Sequence, residues 1–241
     1  MHISQRQYGV RHLLSCRNQS VWYDVSVLMI KSIIVILLIF CISSVQAEPA
    51  RIVAFGDSLI HGFGLAQKDG FVPNLERWLL KQGAEVDLIN AGVSGDTTAG
   101  GAARVDWSVT PDVDGMIIIL GANDALRGIE PSDSERNLDK ILAVVTERDI
   151  EVLLIGIPAP QNFGANYKRQ FDAIFPNLAQ KYPIFYFENF FAGLNEISTD
   201  PAKLLEYFQD DGIHPNLAGV TIIVEVIGPI VLQLIERIHQ N

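Results

Sequence analysis

The sequence predicts an α/β protein in which helices cover both faces of a parallel sheet of about five strands. From residue 51 onward, short apolar segments alternate with amphipathic segments of helix length. This alternation is typical of parallel sheets whose strands are joined by helices. The segment GMIIIL, residues 115–120, is apolar almost throughout, as expected of a central strand that is buried on both faces.

The remaining elements follow in regular order along the chain. Strands are predicted at residues 51–55, 86–91, 115–120, 151–157 and 184–187. Helices are predicted at residues 72–82, 98–107, about 134–147, 167–181 and after 216. Ser132 or Ser134 is the predicted cap of the third helix, and Pro176 is expected to kink or split the fourth. Ligands of such sheets bind at the carboxyl ends of the strands, so the chemistry is expected there.

Residues 1–47 are predicted to be a leader that ends in a signal peptide. The segment 29–47, MIKSIIVILLIFCISSVQA, contains Lys31, an apolar run and the small residues Val45 and Ala47, in the order of a cleaved secretory signal. The apolar run is shorter than the roughly 20 residues that span a bilayer. We therefore expect a periplasmic or secreted protein with a single domain at residues 48–241 and no stable membrane anchor after cleavage. Met1 and Met29 are both compatible with the start of translation.

The composition of the mature chain excludes several functions. Removing the leader takes four basic residues and one acidic residue from totals of 18 and 28, which leaves 14 against 27 and a net charge of −13. This charge disfavours nucleic acids and anionic membranes as partners. Both cysteines, Cys16 and Cys41, lie in the leader, so no disulfide or thiol chemistry is expected of the mature chain.

Four segments that follow predicted strands or precede the last helix carry polar residues and glycines. They are FGDSLIHGFG (55–64), NAGVSGDT (90–97), GANDALRG (121–128) and DDGIHPN (210–216). Taken singly, each fits an ordinary turn or helix cap. The glycines after the first strand do not have the spacing of a nucleotide-binding loop, and no cofactor is expected.

The last of these segments joins an acid to a histidine. Pro215 disfavours helical geometry at His214, and Gly212 permits a bend that brings the Asp211 carboxylate to the His214 ring. A serine becomes a nucleophile when a histidine accepts its proton, and an acid fixes the tautomer of that histidine. Ser58, at the end of the first strand, is the candidate nucleophile for this pair.

Other assignments compete with this one. His61 is a rival base, but no acid stands in an obvious position to orient it, so it is expected to line the pocket. Ser94 is a rival nucleophile that has no base of its own. A metal-dependent phosphoesterase usually needs several histidines, whereas the mature chain has three, so no metal is expected. A non-catalytic binding protein of the same fold is the remaining alternative.

The order of these segments resembles a known family. GDSL at 56–59, Gly95, GAND at 121–124 and DGIHP at 211–215 are similar to the conserved blocks of the SGNH hydrolases, the GDSL esterases and lipases. The resemblance extends over residues 55–219 and is strongest to the small bacterial periplasmic branch, whose members are acyl-CoA thioesterases, lysophospholipases and arylesterases. It implies a flavodoxin-like three-layer α/β/α sandwich.

The resemblance also implies roles for individual residues. Ser58 would be the nucleophile, His214 its base, and Asp211 the acid that orients His214. The oxyanion hole would consist of the backbone N–H groups of Ser58 and Gly95 and the side-chain amide of Asn123. Three further acids are expected to support these groups rather than to react: Asp57, Asp96 and Asp124.

Two loops are expected to contact the substrate, ALRGIEP at 125–131 and IPAPQNFG at 157–164. Their apolar candidates are Leu126, Ile129, Pro158, Pro160 and Phe163. As a group they suit the acyl chain of a small-molecule ester or thioester better than a sugar. A carbohydrate acetylesterase remains an alternative, because the same catalytic residues serve both reactions.

Overall fold

The computed structural model describes Met29 and residues 48–240 of the chain. The predicted signal peptide lies outside the described residues, apart from Met29. The part from residue 48 onward packs as one compact unit.

Five parallel strands form the sheet. They are Ala50–Gly56 (β1), Val86–Gly92 (β2), Gly115–Ile119 (β3), Glu151–Ile155 (β4) and Phe185–Phe187 (β5). Their order is β2-β1-β3-β4-β5, which is the flavodoxin-like order. All five residues of β3 are buried, as its apolar sequence predicts. The predicted fold class is therefore confirmed, and each predicted strand is present with its bounds shifted by at most two residues.

Nine α-helices are present among the described residues 48–240. They are Ser58–His61 (α1), Phe71–Lys81 (α2), Thr98–Ser108 (α3), Ala122–Arg127 (α4), Pro131–Thr146 (α5), Gly164–Lys181 (α6), Ala192–Ile197 (α7), Pro201–Leu204 (α8) and Leu217–Ile238 (α9). Helices α2 and α7 pack on α9, whereas α3 and α6 pack on α5. The two groups form the outer layers of an α/β/α sandwich.

The predicted cap of the third predicted helix is wrong. Helix α5 begins at Pro131 and has no side-chain cap, because proline already supplies the fixed φ angle of a first helical residue. Ser134 lies within that helix, and its buried hydroxyl donates to Asp124 instead. Pro176 lies inside α6 and does not split it.

Helix α9 is the most apolar helix of the described part of the chain. By length and composition alone it could cross a membrane, with a mean hydropathy of 2.1, yet half of that window is buried inside the protein. The Asn216 side chain caps its start by accepting from the Gly219 N–H at 3.1 Å. The apolar composition of α9 therefore follows from its packing on the sheet and on α2.

Candidate active site

The candidate residues gather at the carboxyl edge of the sheet, where β1 lies beside β3. In this strand order the connections leave in opposite directions at β1 and β3, which opens a crevice between the loops that follow them. Ser58 follows β1, Gly95 follows β2 and Asn123 follows β3. The segment before α9 brings His214 to the same place.

Ser58, His214 and Asp211 form a continuous hydrogen-bonded row. The Ser58 Oγ lies 2.8 Å from the His214 Nε2, and the His214 Nδ1 lies 2.6 Å from the Asp211 Oδ2. A carboxylate only accepts, so it places the imidazole proton on Nδ1 and leaves Nε2 to accept from the serine hydroxyl. This arrangement can remove the proton of Ser58 as its oxygen attacks.

The backbone around Asp211 holds this carboxylate in place. The N–H groups of Ile213 and His214 donate to its Oδ1 at 2.9 and 3.0 Å, across a bend where Gly212 has a φ of +67°. Partial burial raises the pKa of Asp211, but the hydrogen bonds from His214 and Ile213 outweigh it and lower the pKa to about 2. The group is therefore charged at neutral pH and able to orient the imidazole.

Gln209 joins the histidine loop to the segment that follows the serine. Its Nε2 donates to the carbonyl oxygens of Phe63 at 2.8 Å and Pro215 at 3.1 Å, and its backbone N–H donates to the His214 oxygen at 2.8 Å. The Phe63 ring lies with its centre 4.7 Å from that of the His214 ring. Sequence reasoning missed Gln209 and Phe63, because no motif marks either residue.

Asp57 precedes Ser58 and fixes the start of α1. It is fully buried and caps α1, with its Oδ1 accepting from the Leu59 N–H at 3.1 Å. Burial raises the pKa of Asp57 to about 6, although hydrogen bonds from Leu59 and Asn123 oppose this shift. As the first residue of α1, Ser58 has a backbone N–H for which residues 48–240 supply no acceptor.

Gly95 presents its backbone N–H through a tight turn. The Asp96 N–H donates to the Val93 oxygen at 3.0 Å, and Gly95 has a φ of +82° while Ser94 has no positive φ. A turn in which only the third residue has a positive φ is a type II turn. It differs from a type I turn by a flip of the central peptide, here the one that joins Ser94 to Gly95. This flip determines where the Gly95 N–H points, and that group too has no acceptor within the described residues.

Asn123 lies on α4, which begins directly after β3. Its Nδ2 donates to the Asp57 Oδ2 at 3.4 Å, and its Oδ1 accepts from the Arg127 Nη2 at 3.4 Å. The side-chain amide is therefore held between the loop that follows β1 and the end of its own helix. Sequence reasoning did not single out Arg127.

Arg104, on α3, ties the ends of two strands together. Its Nε pairs with the Asp96 carboxylate at 2.7 Å, and its Nη1 and Nη2 donate to the carbonyl oxygens of Ala91 at 3.0 Å and Gly56 at 2.9 Å. Gly56 precedes the Asp57–Ser58 pair, and Asp96 closes the turn that carries Gly95. One guanidinium thus fixes the relative positions of two loops of the site.

Asp124, on α4, also holds several elements of the site together. It is fully buried and accepts from the N–H of Thr98 at 2.8 Å, from the hydroxyl of Thr98 at 2.5 Å and from that of Ser134 at 3.0 Å. These bonds join the starts of α3, α4 and α5. The three acids predicted to support the site all make contacts of this kind, and none of them bonds to Ser58.

The predicted acyl-contacting residues lie at the same edge of the sheet, but Leu126 lies in α4 and not in a loop, because the helix that follows β3 continues to Arg127. Leu126 and Phe163 are each 43% exposed, and the Phe163 ring packs so closely on Gly128 that a Cβ there would lie 2.6 Å from it. The Tyr167 hydroxyl donates to the Ile129 oxygen at 2.8 Å. These contacts hold the loops that follow β3 and β4 against each other and leave apolar surface exposed.

A second apolar surface was not predicted from the sequence. A small cleft beside Ser58 and His214 is lined mainly by apolar side chains, namely Leu59, Phe63, Leu65, Phe71, Phe190, Pro215 and Val220. None of the five predicted acyl-contacting residues lines it.

The rival catalytic residues of the sequence lack the contacts of the main candidates. His61 is exposed at the end of α1, and Ser94 is exposed in the turn before Gly95. Neither side chain has a hydrogen-bond partner among residues 48–240. Within the same residues, no group of three or more histidine, cysteine, aspartate or glutamate side chains is placed to hold a metal ion.

Comparison with known proteins agrees with this geometry. Residues 54–222 match the model of the GDSL-like Lipase/Acylhydrolase family. The chain is 33% identical over 184 residues to an arylesterase of Vibrio mimicus, with 75% of this chain and 88% of that protein covered. It is also 33% identical over 172 residues to thioesterase 1/protease 1/lysophospholipase L1 of Escherichia coli K12, with 70% and 77% covered.

Solved structures show the same similarity. The chain is 38% identical to AlinE4, an SGNH-hydrolase family esterase, with a TM-score of 0.62 and with 78% of this chain and 97% of AlinE4 covered. The family match at residues 54–222 includes the end of β1, the turn that contains Gly95, α4 and the loop that carries His214.

Proposed function

The chain belongs to the GDSL-like lipase/acylhydrolase family and is a carboxylic ester hydrolase, and we propose that Ser58, His214 and Asp211 form its catalytic triad. The observation that carries this proposal is the row of two hydrogen bonds, 2.8 Å and 2.6 Å long, that joins the serine hydroxyl to the carboxylate. The substrates are small-molecule esters, and we further propose that esters and thioesters of acyl chains are the preferred class.

The proposed reaction has two halves. The Ser58 oxygen attacks the carbonyl carbon while its proton passes to the His214 Nε2, and Asp211 stabilises the resulting imidazolium. When the tetrahedral intermediate collapses, His214 returns the proton to the departing alcohol or thiol, and the acyl group stays on Ser58. Water then attacks the acyl-enzyme with His214 again as base, which releases the acid and restores the serine.

The oxyanion hole of this mechanism uses donors that have no other strong partner. The Ser58 and Gly95 N–H groups have no acceptor within residues 48–240, and within the same residues the Asn123 Nδ2 donates only to Asp57, at 3.4 Å. Donors held in position before the reaction stabilise the developing negative charge without reorganising.

The acyl chain is proposed to lie on the loops that follow β3 and β4. We expect kcat/KM to rise from acetyl to medium-chain esters and then to level off. Each methylene removed from water contributes about 0.8 kcal/mol, or roughly fourfold in kcat/KM. Leu126→Asp and Phe163→Asp should flatten this series and leave acetyl ester hydrolysis nearly unchanged. The measurement is a chain-length series of aryl esters and thioesters with wild type and both variants.

The control for that series is Leu80→Asp. Leu80 is 53% exposed near the end of α2, which lies at the amino edge of the sheet because α2 leads into β2. The Leu80→Asp variant should leave the chain-length series of kcat/KM unchanged. A wild-type preference for acetyl groups, above all on polysaccharide, would contradict the acyl-chain proposal and support a carbohydrate acetylesterase.

We also propose that the protein is exported and that its leader is cleaved after Ala47. Strand β1 begins at Ala50, so this cut leaves the whole sheet intact. The exported protein is expected to begin at Glu48, which Edman sequencing of periplasmic or secreted material would show. A full-length chain in the membrane fraction would contradict cleavage.

A further inference from the structure

Arg127 stands one helical turn from Asn123 on α4. Residues four apart on a helix lie on the same face, and α4 ends at Arg127 because Gly128 takes a left-handed conformation with φ +66°. The guanidinium is therefore held next to the Asn123 amide, at the edge of the oxyanion hole.

Arg127 donates to neutral acceptors, as the surface arginines Arg77 and Arg169 also do, but its acceptors lie on two proposed oxyanion donors. Its Nη2 donates to the Gly95 oxygen at 2.9 Å and to the Asn123 Oδ1 at 3.4 Å. Among residues 48–240 no carboxylate lies within ion-pair distance of it, although this part of the chain is rich in acids. The guanidinium thus donates to two neutral oxygens, one on Gly95 and one on Asn123, and both residues are proposed oxyanion donors.

These contacts determine how Asn123 points. An asparagine amide has a donor end and an acceptor end, and only its neighbours decide which way it faces. Arginine can only donate, so it selects Oδ1, while the charged Asp57 carboxylate can only accept and selects Nδ2. The pair therefore fixes the amide with its donor toward the loop that carries Ser58.

The same guanidinium restrains Gly95. Its bond to the Gly95 oxygen ties the third residue of the type II turn to α4. Arg127 thereby links the loop after β2 to the loop after β3 and sets the distance between two of the three donors.

We propose that Arg127 is a positioning residue that orients Asn123 and Gly95 for binding the oxyanion and does not itself contact the substrate. The proposal rests on the proposed catalytic function of Ser58. It predicts a loss that appears in kcat, because the donors act on the transition state and not on the bound ester.

The test measures kcat and KM of Arg127→Ala and Arg127→Lys with a neutral aryl acetate. Arg127→Ala is expected to lose about 10- to 100-fold in kcat, with KM changed less than twofold, as for loss of a charge-assisted hydrogen bond. Millimolar guanidinium should restore part of the activity of Arg127→Ala, and Arg127→Lys should lose less because it keeps a donor. The matched control is Arg136→Ala, which removes an exposed arginine on α5 that pairs with Asp133 and should leave kcat unchanged.

A double-mutant cycle tests the route of the effect. If Arg127 acts partly through Asn123, removing it in an Asn123→Ala background should cost less in kcat than removing it from wild type. Fully additive losses, an unchanged kcat, or a higher KM at constant kcat would overturn the proposal. Thermal unfolding identifies any variant that fails to fold, in which case Arg127→Lys decides. Activity that survives in Ser58→Ala would instead refute the proposed triad, so the two failures are distinguishable.

Discussion

Ser58→Ala is expected to lower kcat by roughly 10⁴- to 10⁶-fold, the scale of loss when a serine hydrolase loses a member of its triad. Alanine removes the only atom proposed to attack the carbonyl carbon. Ester turnover measures the loss, and a fluorophosphonate probe should label Ser58 of the wild type and nothing in the variant. Residual activity within tenfold of wild type would refute Ser58 as the nucleophile.

His214→Ala should cause a loss of the same order, because the base and the nucleophile act as one unit and their losses do not add. The double variant with Ser58→Ala should therefore be hardly less active than either single variant. His61→Ala is the matched control, since this histidine lies three residues from Ser58 but has no side-chain partner within residues 48–240. An inactive His61→Ala with an active His214→Ala would reassign the base.

The residues of the site could be predicted from the sequence because the fold makes distant segments converge. Parallel strands end at one edge, so polar residues that follow β1, β2 and β3 must lie near each other. The Asp211–His214 pair is local, since a three-residue spacing with Gly212 between them already lets the ring meet the carboxylate. Ser58 is 156 positions from His214, and the strand pattern, together with the family resemblance, indicates that they meet.

The residues that brace the site could not be predicted in this way. Arg104, Arg127 and Gln209 reach across loops to backbone oxygens, and such contacts depend on side-chain conformations that no spacing encodes. The short helices α1 and α4 were missed for a related reason. Each has too few residues to show a period, and each is stabilised by its place at the end of a strand.

Asn123→Ala is expected to lower kcat by roughly 10²- to 10³-fold with little change in KM, as for removal of one oxyanion donor in other hydrolases. The amide meets negative charge only after the attack of Ser58, so the ground-state complex gains little from it. The measurement is kcat and KM with one aryl ester, alongside thermal unfolding. The control is Asn195→Ala, an exposed asparagine on α7, which should change neither constant.

Asn123→Asp tests the same assignment with a side chain of nearly equal size. It replaces the donor by a carboxylate, which would lie close to the buried Asp57 carboxylate now 3.4 Å from the Asn123 Nδ2. Like charges at this distance disfavour ionisation of both groups, and an acceptor cannot stabilise an oxyanion. The loss in kcat should therefore equal or exceed that of Asn123→Ala and should be greatest at high pH, where both acids ionise. An effect of either variant confined to KM would make Asn123 a substrate-binding residue and would leave the oxyanion to Ser58 and Gly95 alone.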